Sequence, residues 1–326
     1  MMDRRAFIVA LVLAFLGVPR AVVAQPATKM ARIGWLSMGA SNDDLLSGFR
    51  PGLEQLGYTE GRNIAIDYRF ADGLTARLEA QAVELVRLKV NAIVVVGSQA
   101  AEAAKLATST IPIVMIGVGD PVGVGLVASL NKPGGNITGL SFAQADTAPK
   151  WLQYLHDVVP QATRIGYLED MSAPVSKSFV RELQRAAQTL GLSVAVYPVT
   201  KLADVLPQLD AMARDRVQAF VVSPSAIPRT RQQEIIAFAA GQRLPAMYVG
   251  RDYVDAGGLM SYNASRPDIA RQGALYVVKI LDGARPAELP VQQPARFELV
   301  INLKAAKALG LTIPQALLLR ADEVIQ

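Results

Sequence analysis

The feature that most constrains what this chain can fold into is a sustained alternation of short apolar runs with helix-length amphipathic segments between residues 32 and 249. Arg32-Ile33-Gly34-Trp35-Leu36-Ser37 reads as a strand, 42–56 as a helix stopped at Gly57, and 64–68 as a strand. A helix over 74–89 carries Leu74, Leu78, Leu85 and Leu88 on one face. Ala92-Ile93-Val94-Val95-Val96 is uninterrupted and mostly β-branched, the composition of a parallel strand covered on both faces. An alanine-rich helix to about 108, a strand at 113–116, a turn and short helix after Gly119-Asp120-Pro121, and a strand at 136–142 complete a first series. A long helix, 146–158, ends before Pro160 and opens a second series. Its strands are 165–168, 193–198, 219–222 and 245–249; its helices are 174–190, 202–214 and 228–240.

Strand–helix alternation with short loops gives parallel sheets with helices on both faces, connected right-handedly. Two series predict an α/β chain of two doubly wound parallel-sheet lobes with a ligand cleft between them. A length of 326 residues suits two domains with cores of their own. Strand 258–262 and helix 267–282 lack a further series to join and are expected to return to the first lobe. The expected division is therefore 30–143 plus about 250–283 for lobe 1, and 144–249 plus about 290–326 for lobe 2. The last stretch includes a strand at 297–301 and a short helix at 303–309.

Open parallel sheets bind ligands beyond the carboxyl ends of their strands, where helix N-termini present free N–H groups. That rule selects Ser37-Met38, Gly97-Ser98, Gly119-Asp120-Pro121, Ser141-Phe142, Glu169-Asp170, Ser223-Pro224-Ser225 and Tyr262-Asn263. A serine at such a point either hydrogen-bonds a ligand or caps its own helix, and every helix needs a cap. Asp120, rigid before a proline, either receives an ammonium group or binds its own turn. Arg251 either clamps a carboxylate or, with Asp252, is a solvated charge at a hinge. The candidate ligand-binding residues are thus Ser37, Met38, Ser98, Asp120, Pro121, Ser141, Ser223, Ser225, Arg251, Tyr262 and Asn263.

Composition excludes several classes of chemistry. With no cysteine there are no disulfides, zinc–thiolate sites or thiol nucleophiles. The one histidine, His156, sits on an amphipathic helix where it reads as a surface or packing residue rather than a catalyst. GxxxxGK[ST], HExxH, GxSxG and GxGxxG are all missing, so no catalytic residue, cofactor or metal site is expected. Residues 1–24 read as a removable export leader: Arg4 and Arg5, thirteen apolar residues from Ala6 to Val18, then Val22-Val23-Ala24. Arg4-Arg5 also fits a twin-arginine signal. Without the leader, the net charge falls from +5 to +3 over 302 residues, which gives no reason to expect a nucleic-acid partner. A monomer outside the cytoplasm is expected.

Several segments resemble one family across nearly the whole chain. Arg32-Ile33-Gly34-Trp35-Leu36-Ser37, Gly119-Asp120-Pro121-Val122-Gly123, 132–139, 256–262, 297–302 and the closing Ala308-Leu309-Gly310-Leu311-Thr312-Ile313-Pro314 follow in order. They are similar to the bacterial ABC-transporter substrate-binding proteins of type I periplasmic-binding fold, in the branch of tryptophan- and tyrosine-type solute receptors. The resemblance implies two lobes joined by three crossings, a small organic solute held between them with an amino acid favoured, and docking on an inner-membrane permease driven by a separate ATPase. It places cleft positions at Ser37, Ser98, Asp120, Ser141, Ser223 and Tyr262. Two segments depart from the pattern on the ligand side: Glu169-Asp170-Met171-Ser172, where relatives often carry an Asn-Pro-type turn, and Ser223-Pro224-Ser225. The alternative expectation is a periplasmic sensor subunit that reports a bound solute to a membrane signalling protein.

Overall fold

In the computed structural model, residues 30–41, 45–142 and 144–326 are described, the side chains of 144–146 excepted; the expected leader at 1–24 lies outside them. The first series forms β1 (Ala31–Ser37), α1 (Leu45–Gln55), β2 (Ile64–Phe70), α2 (Thr75–Arg87), β3 (Ala92–Val96), α3 (Ser98–Ala107), β4 (Ile113–Val118) and β5 (Ile137–Ser141). These strands make an all-parallel sheet in the order β2-β1-β3-β4-β5. After the crossing helix α4 (Gln144–Val158) come β6 (Arg164–Asp170), α5 (Ser176–Thr189), β7 (Ser193–Val199), α6 (Val205–Arg214) and β8 (Ala219–Val222). Then follow α7 (Ala226–Thr230), α8 (Gln232–Gly241), β9 (Ala246–Tyr248), α9 (Arg251–Asp255), β10 (Met260–Ala264) and α10 (Arg266–Leu281). The tail supplies β11 (Phe297–Asn302), α11 (Leu303–Ala308), α12 (Gln315–Leu318) and β12 (Glu323–Ile325). The second sheet runs β12-β11-β10-β9-β8-β6-β7. The chain is an α/β protein of two parallel-sheet lobes.

Side-chain alternation along each strand sends residues to opposite faces, and both faces of both sheets are covered. In β3, Ala92, Val94 and Val96 join one apolar cluster while Ile93 and Val95 join another. The first cluster sits under α1 and α10, with Trp35 against Phe49 at 4.9 Å between ring centroids. Ile269, Ala270, Ala274, Val277 and Ile280 supply the apolar stripe of α10. Each such isoleucine or valine, fully buried, contributes about 1.5–3 kcal/mol of transfer free energy. Contact between α1 and α10 is close enough to need glycine: a Cβ on Gly48 would lie 2.0 Å from the Pro267 carbonyl oxygen. The second lobe has its own cluster under α4 and α5, built on Trp151, Leu155, Tyr167, Val221 and Met260.

Five expectations need correction. β10 does not return to the first lobe: Met260 and Ser261 pair with Met247 and Tyr248 of β9, so the second lobe extends from 144 through 264 and the chain goes back with α10. Residues 289–292 stay beside β5, with Thr138 Oγ1 donating to the Leu289 carbonyl and the Ser141 N–H to that of Gln292, before the chain crosses to β11. β11 runs antiparallel to β10, because it enters by a crossing rather than after a helix of its own sheet. The segment after Asp120 is a set of turns rather than a helix, and the helix expected at 228–240 is broken into α7 and α8 at Arg231.

Candidate functional site

A cavity of about 670 Å³, its open mouth included, lies where the carboxyl ends of the two sheets meet. The first lobe lines it with Ser37, Met38 and Gly39 after β1, Val96 to Gln99 from β3 into α3, Gly117 and Gly119 around the end of β4, and Phe142 after β5. From the second lobe come Glu169 at the end of β6, Ala173, Val175 and Phe179 from the loop into α5, and Pro224, Ser225, Ala226 and Arg229 from β8 into α7. Arg266, first residue of the crossing helix α10, completes the wall. The arrangement follows from topology: parallel strands present all their carboxyl ends on one edge, and two such edges face each other.

The lining is chemically mixed. Met38, Val96, Phe142, Val175 and Phe179 are its large apolar members, the last two packing with Ala173 and with Val124 from the first lobe. Phe142 is seated on Gly117, which has φ +73° at an irregularity in the β4–β5 register; a Cβ there would meet the ring at 2.2 Å. The polar members are serines, a glutamine, an acid and two arginines. Arg229 is ion-paired with Asp252 and its guanidinium lies 5.6 Å from the Tyr253 ring centroid. Glu169 is only 1 % exposed, and burial pushes its carboxyl up to about 8, adjacent Asp170 adding to the rise while the nearby Tyr167 and Ser223 hydroxyls act against it. Asp170 is also raised, chiefly by burial, although Ser172 donates to it from its N–H at 2.9 Å and its hydroxyl at 2.5 Å. Gln99 Nε2 donates to Asp170 across the cleft at 3.2 Å, tying α3 of one lobe to β6 of the other.

Of the residues expected from sequence, Ser37, Met38, Ser98 and Ser225 meet at this cavity. Ser37 Oγ also accepts the Gly39 N–H at 3.1 Å, so it holds its own turn while standing at the wall. Ser223 lies just behind, its hydroxyl 2.7 Å from that of Ser225. The structure keeps the others away from the cavity, each for a local reason. Asp120 accepts the Gly123 N–H at 2.8 Å and serves its turn, and Pro121 is buried in the same turn. Ser141 is buried beneath the site and donates to the Gly119 carbonyl at 3.3 Å. Arg251 is held by Glu323 and Asp255 and does not line the cavity. Tyr262 packs edge-on to Tyr154 at 5.0 Å and stacks on Phe297 at 5.8 Å, and its carbonyl accepts from Trp151 Nε1. Asn263 donates to the Val249 carbonyl and borders a separate cavity with Arg251, Asp252 and Glu298.

Sequence reasoning passed over Gln99, Phe179, Arg229 and Arg266 as site residues. Glu169 had a signal: a carboxylate closing the apolar run Ile165-Gly166-Tyr167-Leu168 must be buried with its strand. Arg229 and Arg266 had none, since an arginine in the first turns of a helix is ordinarily solvated.

With this geometry in hand, comparisons with known proteins are informative. Residues 35–325 match the family model described as ABC transporter substrate binding protein. A tyrosine-binding protein of Clostridioides difficile (strain R20291) is 27% identical over 272 residues, which are 83% of this chain and 78% of that one. Among solved structures, an ABC domain from Streptococcus pneumonia in complex with L-Trp is 28% identical, with a TM-score of 0.84, over 90% of this chain and 99% of that one. The ligand-free, open structure of a substrate-binding protein with adhesive properties from Clostridium difficile is 25% identical, covers 91% of this chain and 99% of that one, and has a TM-score of 0.64.

Proposed function

This chain belongs to the ABC transporter substrate-binding protein family, a family of solute binders rather than enzymes, and from that premise we propose that it is the solute receptor of an importer, taking up an amino acid between its lobes. The observation that carries the reading is the cavity itself: it is built from both lobes at once and is lined by apolar side chains together with hydroxyl, amide, carboxyl and guanidinium groups. A closed receptor would present a joined surface to a membrane permease whose ATPase is a separate chain. In this reading the receptor works as an exported monomer, without a cofactor and without nucleic acid. No helix among the described residues is long and apolar enough to cross a membrane.

Ser37, Ser98, Gln99, Ser225, Arg229 and Arg266 offer hydrogen bonds and positive charge to a carboxylate, aided by the N-terminus of α3, whose dipole favours an anion by about 0.3–1 kcal/mol. Met38, Phe142, Val175 and Phe179 offer an apolar surface to a side chain. The similarity to a tyrosine-binding protein and to a structure holding L-Trp supports an aromatic amino acid as the first solute to try. Bound at a hundredfold excess over its Kd, a solute stabilises its receptor by about 2.7 kcal/mol. L-Tryptophan or L-tyrosine at millimolar concentration should therefore raise the melting temperature by several degrees. A flat response to both, and to the branched amino acids, would remove the amino-acid assignment. Mass spectrometry of material co-purifying with the protein would then name the solute.

A further inference from the structure

Glu169 stands out from the rest of the cavity wall. It ends β6, is almost wholly buried, and its Oε2 has no hydrogen-bond partner among the described residues. The groups acting on it are Tyr167 and Asp170 of its own strand and Ser223 at the end of β8, with no cation among them. Facing it around the cavity are Gln99 of α3, Arg229 of α7 and Arg266 of α10; Gln99 is turned to Asp170 and Arg229 to Asp252. An ionised carboxylate left buried without a counter-charge costs several kcal/mol, so this group keeps its proton until a positive charge arrives.

We propose that Glu169 is the receiver for a protonated amine on the solute, so that the receptor selects amines and releases one proton to solvent when it binds one. The step balances simply: the Glu169 carboxyl loses its proton to water, and the resulting carboxylate pairs with the incoming ammonium, which stays protonated. This deepens the receptor reading and rests on it. Because the carboxyl titrates near 8 before binding, an amine must displace the proton below that pH. Affinity is then flat above about pH 8 and falls as the pH is lowered, by up to tenfold per unit.

The test is calorimetric titration from pH 6 to 9 with L-tryptophan, L-tyrosine, tryptamine, tyramine, and the two acids that lack the amine, indole-3-propionate and 3-(4-hydroxyphenyl)propionate. Expected are amine binding that weakens towards pH 6, proton release seen as different heats in buffers of different ionisation enthalpy, and loss of both in Glu169→Gln with at least tenfold weaker binding at pH 8.5. The proton-release measurement needs only the unmodified protein, so poor folding of the variant would not void the test. Tryptamine or tyramine binding in this manner without the amino acids would support the role of Glu169 and remove the amino-acid assignment. Equal binding of the two acids, pH-independent amine binding, unchanged pH dependence in Glu169→Gln, or failure of every amine to bind would overturn the proposal; in the first three the receptor reading would stand.

Discussion

At the scale of single residues, position at a strand end did not decide which side chain serves the cavity; local hydrogen bonding did. Asp120 illustrates this. Its carboxylate is taken by the Gly123 N–H at 2.8 Å, and Gly123 packs so closely that a Cβ would lie 2.0 Å from Asp120 Oδ2. Asp120→Ala should therefore lower stability by about 0.5–1.5 kcal/mol, the loss of one hydrogen bond in a turn, with solute affinity unchanged. Urea unfolding beside a binding titration checks both halves; a larger effect on affinity than on stability would return Asp120 to the site. Ser37, Ser98 and Ser225 were legible as strand-end hydroxyls because strand ends can be read from apolar runs. Arg229 was not, because what draws it in is the half-buried Asp252 and the buried Tyr253 twenty-odd residues further along, and the partnership exists only once α7 and α9 pack.

At the scale of elements, the strands were readable almost throughout because fully covered strands must be apolar on both sides, as β3 is. What the pattern could not carry was pairing partner. β10 has the same apolar character whichever sheet it joins, so its place beside β9 rather than in the first lobe emerges only from tertiary contacts. β12, three residues of Glu323-Val324-Ile325 at an edge, is too short to show alternation. The turn of β4 at Gly117 is the element-scale device that matters most for the cavity, since it lets Phe142 lie flat against the backbone. Gly117→Ala would need both a left-handed backbone, costing about 1–2 kcal/mol, and displacement of the Phe142 ring, costing about 1–3 kcal/mol. The expected outcome is a lower denaturation midpoint together with weaker solute binding, since the displaced ring is part of the cavity lining. Stability and affinity both unchanged would show that Phe142 is not seated by this glycine.

At the scale of the whole molecule, two lobes were legible from the repeated series, but not their state of closure. Gln99 of one lobe donates to Asp170 of the other, Leu202 lies 3.0 Å from where a Cβ on Gly73 would stand, and Val124 packs on Val175 and Phe179. A hydrogen bond that exists only when the lobes meet biases the equilibrium between open and closed forms by its net worth. Gln99→Ala should weaken solute binding roughly two- to tenfold, the equivalent of about 0.5–1.5 kcal/mol. It should also enlarge the solute-free protein's radius of gyration in small-angle scattering while leaving the saturated form unchanged. Equal radii for the two solute-free proteins would mean that Gln99 acts on the solute alone.

The return of α10 has a consequence for how the protein is made. Phe49, Trp35, Ile116 and Leu140 are buried beneath a helix that begins at Arg266, more than a hundred residues after β5 ends. At ribosomal speeds of about 5–20 residues per second, the first sheet waits on the order of ten seconds with one apolar face covered by α1 alone. Meanwhile nearly the whole second sheet, from β6 to β10, has been synthesised. The lobe that starts first is therefore completed only after most of the other has appeared, and the order of synthesis is not the order of folding.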